Sequence, residues 1–316
     1  MRIVFMGNPA FAVPSLSVFL SSAHQIAAVV TSPDRERGRG RHPGPTPVAS
    51  FASEHGLDLV QPHDLNDPFV VSRLTGMGPD LFVVVAFKIL PEVWLRIPKV
   101  GSVNLHGSLL PEYRGAAPIH WALMNGDSVT GLTTFMLAPA VDTGDTLMTK
   151  KVVILPDDTL GSLSRRMSLL GARLLRETVD RLESGTAKPA PQDSTVATKA
   201  PKIRSSHRRI DWEKHAREVH NLIRALSPAP GAYTEFRDGR LKIFRSRMST
   251  RGGHPGEIIS VNKECIGVAC GWGSVELLEL QLEGKRRMST RDFLAGTPLE
   301  AGEKLGEESP VKGTGN

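Results

Sequence analysis

The run DLFVVVA at residues 80–86 decides the fold. Five consecutive apolar residues, from Leu81 to Val85, lack the alternation of a half-exposed strand. Such a run belongs to a strand covered on both faces, as in the interior of a parallel sheet. Working outward, RIVFM at 2–6 and QIAAVVT at 25–31 have the same texture, and 58–60 and 102–105 are shorter extended pieces. Helical spacing separates them at 11–20, 48–55 and 119–124. Residues 132–137 and 147–154 alternate better and suit an antiparallel pair at the sheet's edge, before a long amphipathic helix at 159–183. This βαβα order predicts an α/β, doubly wound, mostly parallel Rossmann-like sheet.

The chain has 316 residues, which suggests two domains. Its texture changes at 184–206, which is rich in Pro, Ser, Thr, Ala and Lys and carries no sustained periodicity, as in an extended linker. Beyond it, a helix within 210–226 precedes short extended segments at 231–236, 241–245, 256–261, 267–269 and 275–281. Five such segments suit a small OB-like β-barrel. The expected division is a catalytic domain at 1–186, a linker at 187–206, a barrel domain at 207–305 and a disordered tail at 306–316.

Composition narrows the classes. No stretch approaches the roughly 20 apolar residues of a membrane helix, and MRIVFMG opens as a strand rather than a secretory leader. Cys265 and Cys270 are too few for a disulfide framework and lack the spacing of a zinc or redox pair. They read as core hydrophobes, and a reducing cytoplasm follows. A net charge of +6 points to an anionic partner, nucleic acid among the candidates.

Chemistry concentrates between residues 104 and 145. Asn104 and His106 are two apart at the end of a strand, so their side chains share one face. They stand at a strand's carboxyl end, where open α/β sheets bind ligands. Asp142, in AVDTGD at 140–145, lies on a glycine-containing loop between the two edge strands and is expected to fold back toward His106. No GxSxG nucleophile elbow is present, and one amide with two ligands makes a poor zinc site. The trio suits acyl transfer to an amine. Asn104 would donate to a developing oxyanion, His106 would carry the proton, and Asp142 would hold the imidazole and favour its charged form. Taken alone, an Asn-x-His pair also reads as an ordinary strand end. Gly7-Asn8-Pro9 lacks the GxGxxG spacing of a dinucleotide site and reads as a tight strand-to-helix turn.

Longer strings carry a resemblance. NLHGSLLPEYRGAAPIHWAL at 104–123 and VDTGD at 141–145 closely resemble the signature of the folate-dependent formyltransferases. The likeness continues in MGNPAFAVPSL at 6–16, TSPDRERGRG at 31–40, VVVAFKILP at 83–91, IDW at 210–212 and ELQLEGKRRMSTRDFLAG at 279–296, covering nearly the full length. The basic loop and the C-terminal string resemble the branch that acts on transfer RNA. The resemblance implies the formyltransferase fold and a catalytic role for Asn104, His106 and Asp142. It also implies 10-formyltetrahydrofolate as donor, the α-amino group of methionyl initiator transfer RNA as acceptor, and no metal. Two departures stand out: Ala10, where the family often has an acidic residue, and Ala140-Val141 before Asp142, where it often reads Gly-Leu.

On that footing, Phe87, Lys88, Ile89 and Leu90, after the central strand, would line a slot for the pteridine, and Ser108, Leu109, Leu110 and Pro111 would complete its wall. The alternative for Ile89, Leu90 and Leu109 is ordinary core packing, the usual fate of aliphatics. Arg35, Arg37, Arg39 and Arg41, in RERGRGR, would grip the acceptor end of transfer RNA, Arg39 foremost. Lys202, Arg204, Arg208 and Arg209, with Lys285, Arg286 and Arg287, would add phosphate contacts in the second domain. Aromatic residues make up only 5% of the chain, which argues against base stacking. A monomer suffices. The alternatives are a relative that formylates a small amine, a formyl-folate hydrolase, and a catalytically inactive RNA-binding protein.

Overall fold

The computed structural model describes residues 1–37 and 42–307. The chain divides into two compact units, one of residues 1–118, 129–153 and 164–201, the other of 119–128, 154–163 and those from 202 on.

The first unit is built on a seven-stranded sheet. Its strands are β1 (Arg2–Gly7), β2 (Gln25–Val30), β5 (Leu59–Val60), β6 (Leu81–Val85), β7 (Gly101–His106), β8 (Val129–Met136) and β9 (Thr146–Val153), while β3 (Arg35–Arg37) and β4 (His42–Gly44) form a separate hairpin. The order is β5-β2-β1-β6-β7-β8-β9. Five strands are parallel, and β8 and β9 close the edge antiparallel, as their alternation predicts. The chain leaves β1 toward β2 and β5, then returns to β6 on the other side of β1. This reversal opens a crevice at the strands' carboxyl ends. All five residues of β6 are buried, as an unbroken apolar run demands.

Helices α1 (Val13–Leu20), α2 (Pro47–Glu54), α3 (Pro68–Gly76), α4 (Glu92–Leu95) and most of α6 (Leu160–Glu183) belong to the first unit, while α5 (Pro118–Asn125) falls almost wholly in the second. Helix α3 goes beyond the expected elements. Asp67 caps it by accepting from Phe69 N–H at 2.9 Å, and Pro68 stands at its first turn. Val70 and Leu74 of α3 and Trp94 of α4 pack with Val4, Met6, Val30, Phe82 and Val84 on one face of the sheet. On the other face α6 comes close: a Cβ on Gly171 would stand 2.7 Å from Leu105 Cδ2.

The second unit holds α7 (Ala216–Ala225), β10 (Ala232–Phe236), β11 (Gly239–Ser249), β12 (Ile258–Val261), β13 (Ile266–Ala269), β14 (Ser274–Leu282), β15 (Met288–Ser289) and α8 (Thr290–Gly296). The five expected strands form an antiparallel sheet ordered β10-β11-β14-β13-β12, with β15 added to β14. Among the described residues no strand pairing joins β10 to β12. Chain segments cap the two edges instead: Ile210 N–H bonds Tyr233 O at 2.8 Å, and Ile258 N–H bonds Glu303 O at 2.7 Å. Trp212, Ile223, Leu226, Ile243, Val268, Leu277 and Phe293 form its core, together with Cys270. Burial pushes the Cys270 thiol up to about 12, in keeping with an inert core residue.

Residues 187–201 are extended apart from one 3-10 turn at Ser194–Val196, yet they are hydrogen-bonded into the first unit. Ala190 exchanges both backbone bonds with Thr146, at 2.8 and 2.9 Å, and Arg114 does the same with Thr198 and Ala200, at 2.9 and 2.7 Å. Linker-like composition here accompanies a docked strap, because neighbouring loops satisfy its backbone groups. Of the 306–316 segment only Gly306 and Glu307 are described. Gly306 N–H bonds Glu235 O at 2.9 Å, so chain order reaches at least this residue. No helix among the described residues is long and apolar enough to cross a membrane.

Candidate active site

Strand β7 carries Asn104 and His106 at the carboxyl end of the parallel sheet, in register with Val84 of β6 and Thr133 of β8 respectively. Both side chains leave the same face, the one the pleat assigns to i and i+2. Asn104 is partly buried, and its side-chain amide bonds no protein group among the described residues. An amide in that setting is free to donate to a ligand oxygen.

His106 is buried and packs edge-on against Phe135, with ring centroids 6.4 Å apart. Its Nε2 lies 2.9 Å from the backbone carbonyl of Tyr113. A carbonyl only accepts, so Nε2 carries the hydrogen and the neutral ring keeps its lone pair on Nδ1. Nδ1 faces Asp142, whose Oδ2 is 3.7 Å away. That oxygen also accepts from Gly115 N–H at 2.8 Å. A second proton arriving at Nδ1 would therefore meet a carboxylate that the backbone already holds.

Backbone strain collects here. The described residues include four non-glycine positions in the left-handed region: Ala86, Tyr113, Asp142 and Arg237. Ala86 follows β6, Tyr113 presents the carbonyl to His106, and Asp142 bears the carboxylate. Each costs about 1–2 kcal/mol, which surrounding contacts must offset, and such strain clusters at functional sites. The Asp142 loop is tight as well: a Cβ on Gly144 would lie 1.7 Å from Met136 O.

The sequence-expected folate residues fall into two groups. Phe87 packs against the core with Leu90, Lys88 is partly buried, and Ile89 is 73% exposed. Ser108 and its neighbours stitch the turn after β7. Ser108 Oγ donates to Glu112 O at 2.6 Å, Thr133 Oγ1 donates to Ser108 O at 2.8 Å, and Leu110 N–H donates to Thr133 Oγ1 at 3.0 Å. Leu109 lies over Gly131, and Leu110 is buried, joined to Pro111 by a cis bond. The Ser108 hydroxyl and the Leu110 N–H are thus already committed to protein partners.

Of the basic loop, Arg35 and Arg37 lie on β3, while Arg39 and Arg41 fall outside the described residues. In the second unit the cluster is partly neutralised. Arg209 bonds both oxygens of Glu235, at 3.1 and 3.0 Å, and Arg287 bonds both of Glu279, at 2.6 Å each. Arg208 lies 5.8 Å from the centroid of the Tyr233 ring. Lys202, Lys285 and Arg286 are exposed.

Sequence reasoning gave no role to Tyr113, Arg114, Gly115 or Gln192. The first three sit inside the quoted 104–123 string, but what they do depends on where the loop folds. Gln192 sits in the segment read as a linker.

The carboxyl edge of this doubly wound α/β sheet brings together an amide, an imidazole and a carboxylate, an arrangement suited to group transfer. Residues 1–179 match the family model described as formyl transferase, and residues 202–298 match its C-terminal domain. The chain belongs to the formyl transferase family. It is 45% identical over 307 residues to a methionyl-tRNA formyltransferase of Geobacter metallireducens, covering 97% of this chain and 99% of that one. A methionyl-tRNA formyltransferase of Ruminiclostridium cellulolyticum is 41% identical over 312 residues, covering 97% and 100%. Among solved structures, a sugar 3N-formyl transferase crystallised with dTDP and 5-N-formyl-tetrahydrofolate superimposes with a TM-score of 0.67 at 19% identity, covering 90% of this chain and 99% of that one. At that identity the structure speaks for the fold alone.

Proposed function

We propose that this enzyme transfers the formyl group of 10-formyltetrahydrofolate to the α-amino group of methionyl initiator transfer RNA, as a monomer in the cytoplasm. The observation that carries the chemistry is the approach of Asp142 to His106 Nδ1 beside the free amide of Asn104. The choice of acceptor is supported by full-length likeness, across both family domains, to relatives named for that reaction.

In this reading Asn104 donates to the formyl oxygen as negative charge builds on it. The amine nitrogen bonds to the formyl carbon and gives up a proton, which His106 takes at Nδ1 beside Asp142. The bond from that carbon to the folate nitrogen breaks, and the proton passes to that nitrogen. The pteridine would lie against Phe87, Lys88, Ile89 and Leu90, which follow the central strand. Ser108, Leu109, Leu110 and Pro111 would shape its rear wall through the backbone. Arg35, Arg37, Arg39 and Arg41, with exposed Lys202, Lys285 and Arg286, would take phosphates. Arg208, Arg209 and Arg287 would contribute after exchanging their present contacts.

The test is formyl transfer by the wild type and His106→Ala on initiator and elongator methionyl-transfer RNA. The expected result is preference for the initiator and collapse of turnover in the variant. Equal rates for wild type and variant would refute the mechanism. Equal rates on the two RNAs, or folate turnover indifferent to RNA, would refute the acceptor.

A further inference from the structure

Two loops carry the site, and two side chains join them: Asp142 itself and Gln192. The loop after β7 presents the Tyr113 carbonyl to His106 and the Gly115 N–H to Asp142. Between these two residues stands Arg114, whose Nε and Nη2 donate to Gln192 Oε1 at 3.1 and 2.7 Å. From its other end, Gln192 Nε2 donates to the backbone carbonyls of Asp142 and Gly144, at 3.0 and 2.7 Å. The Gln192 amide therefore spends its oxygen on the loop that orients the imidazole and both its hydrogens on the loop that bears the carboxylate.

We propose that Gln192 is a positioning residue that sets the separation and angle between His106 and Asp142. The inference rests on reading those two as the catalytic pair. The chemistry requires an amide. Oε1 must accept from a guanidinium, while Nε2 must donate to two carbonyls. Glutamate would keep the Arg114 contact and gain an ion pair, but it would set a bare carboxylate oxygen against two carbonyl oxygens. Asparagine is one methylene short of spanning the loops.

The clamp is also separable from the fold. The strap through Gln192 is anchored at one end by the paired bonds between Ala190 and Thr146, and at the other by those between Arg114 and residues 198 and 200. Tyr113 N–H adds a bond to Thr198 Oγ1 at 2.8 Å. These remain when the Gln192 side chain is cut back, so the Asp142 loop keeps the bond from Gly115 N–H but loses the two that hold its backbone carbonyls, while the strap stays docked.

The experiment compares full-length Gln192→Ala, Gln192→Glu, Asp142→Asn and the double variant Gln192→Ala with Asp142→Asn. It reads kcat and both KM values in formyl transfer, together with thermal melting. Misplacement of about 1 Å costs on the order of 100-fold, so Gln192→Ala should lose about 10- to 100-fold in kcat, with each KM within about threefold of wild type. Gln192→Glu should lose as much despite its ion pair. In the Asp142→Asn background, Gln192→Ala should cost less than about threefold, because the group it positions is already disabled. A full-sized Gln192→Ala effect on top of Asp142→Asn would overturn the proposal. So would wild-type kcat in Gln192→Glu, or a loss confined to KM. If Gln192→Ala melts below the assay temperature, Gln192→Glu decides by the same criteria. Near-wild-type activity in Asp142→Asn alone would instead sink the catalytic pair, which separates the two failures.

Discussion

Replacing Asp142 by asparagine removes one charge and little else. The amide oxygen can still accept from Gly115 N–H, which now holds Oδ2 at 2.8 Å. What disappears is the attraction across 3.7 Å to His106 Nδ1, between side chains only 13% and 7% exposed. With an effective dielectric of about 20, unit charges at that distance attract by about 4.5 kcal/mol. At about 1.36 kcal/mol per tenfold in rate, complete loss of a charged imidazole's partner in the transition state is worth about a thousandfold. The asparagine dipole retains a share, so kcat should fall by about 100- to 1000-fold, with both KM values little changed. Single-turnover formyl transfer at saturating folate and charged transfer RNA measures it. Because the pair is shielded from solvent, the ratio of wild type to variant should hold as salt rises. A drop under about tenfold, or one confined to KM, would show that Asp142 does not stabilise charge on His106.

Three further outcomes are expected. Arg39→Ala should raise the KM for charged transfer RNA far more than that for folate, and equal effects would remove the basic loop from RNA binding. Thr234→Val strips the acceptor from Trp212 Nε1–H, a buried bond of 3.0 Å. It should cost about 1–3 kcal/mol in denaturant unfolding followed by tryptophan fluorescence, and an unmoved midpoint would mean that the indole finds another partner. Burial, reinforced by the charge of Arg224, holds His220 below its ordinary 6.5. Between that lowered value and 6.5 the unfolded chain binds more protons than the folded one, so stability rises with pH through this window and falls on acidification. His220→Gln should flatten that slope in melting curves taken across it, and an unchanged slope would place the titration elsewhere.

Much of the architecture is legible from local pattern. The apolar run at 80–86 became a strand buried along its whole length, and the alternating pair at 132–137 and 147–154 became the antiparallel edge. Local signals also existed for α3, in the capping Asp67 and the Pro68 after it, but its short apolar stripe stands out little from the surrounding loop. The strap shows the limit of composition. Pro, Ser, Thr and Lys suit a free linker and an extended segment docked on neighbouring loops equally well, and only the partners of its backbone groups tell the two apart. The second unit's charge is a similar case: Arg209 and Arg287 count as basic in the sequence, but Glu235 and Glu279 balance them in space.

The candidate site divides along the same line. Sequence by itself determined that Asn104 and His106 share a face at a strand's end, because the two-residue pleat is a property of the strand alone. It also placed the chain in its family, through strings long enough to be specific. Only the tertiary structure decided that Asp142 reaches His106, that the Tyr113 carbonyl puts the proton on Nε2, and that Gln192 spans 50 residues to hold the Asp142 carbonyl. These contacts join loops brought together by sheet order and by left-handed backbone at Tyr113 and Asp142. No periodicity along the chain encodes a distance between segments that meet only after the sheet has formed.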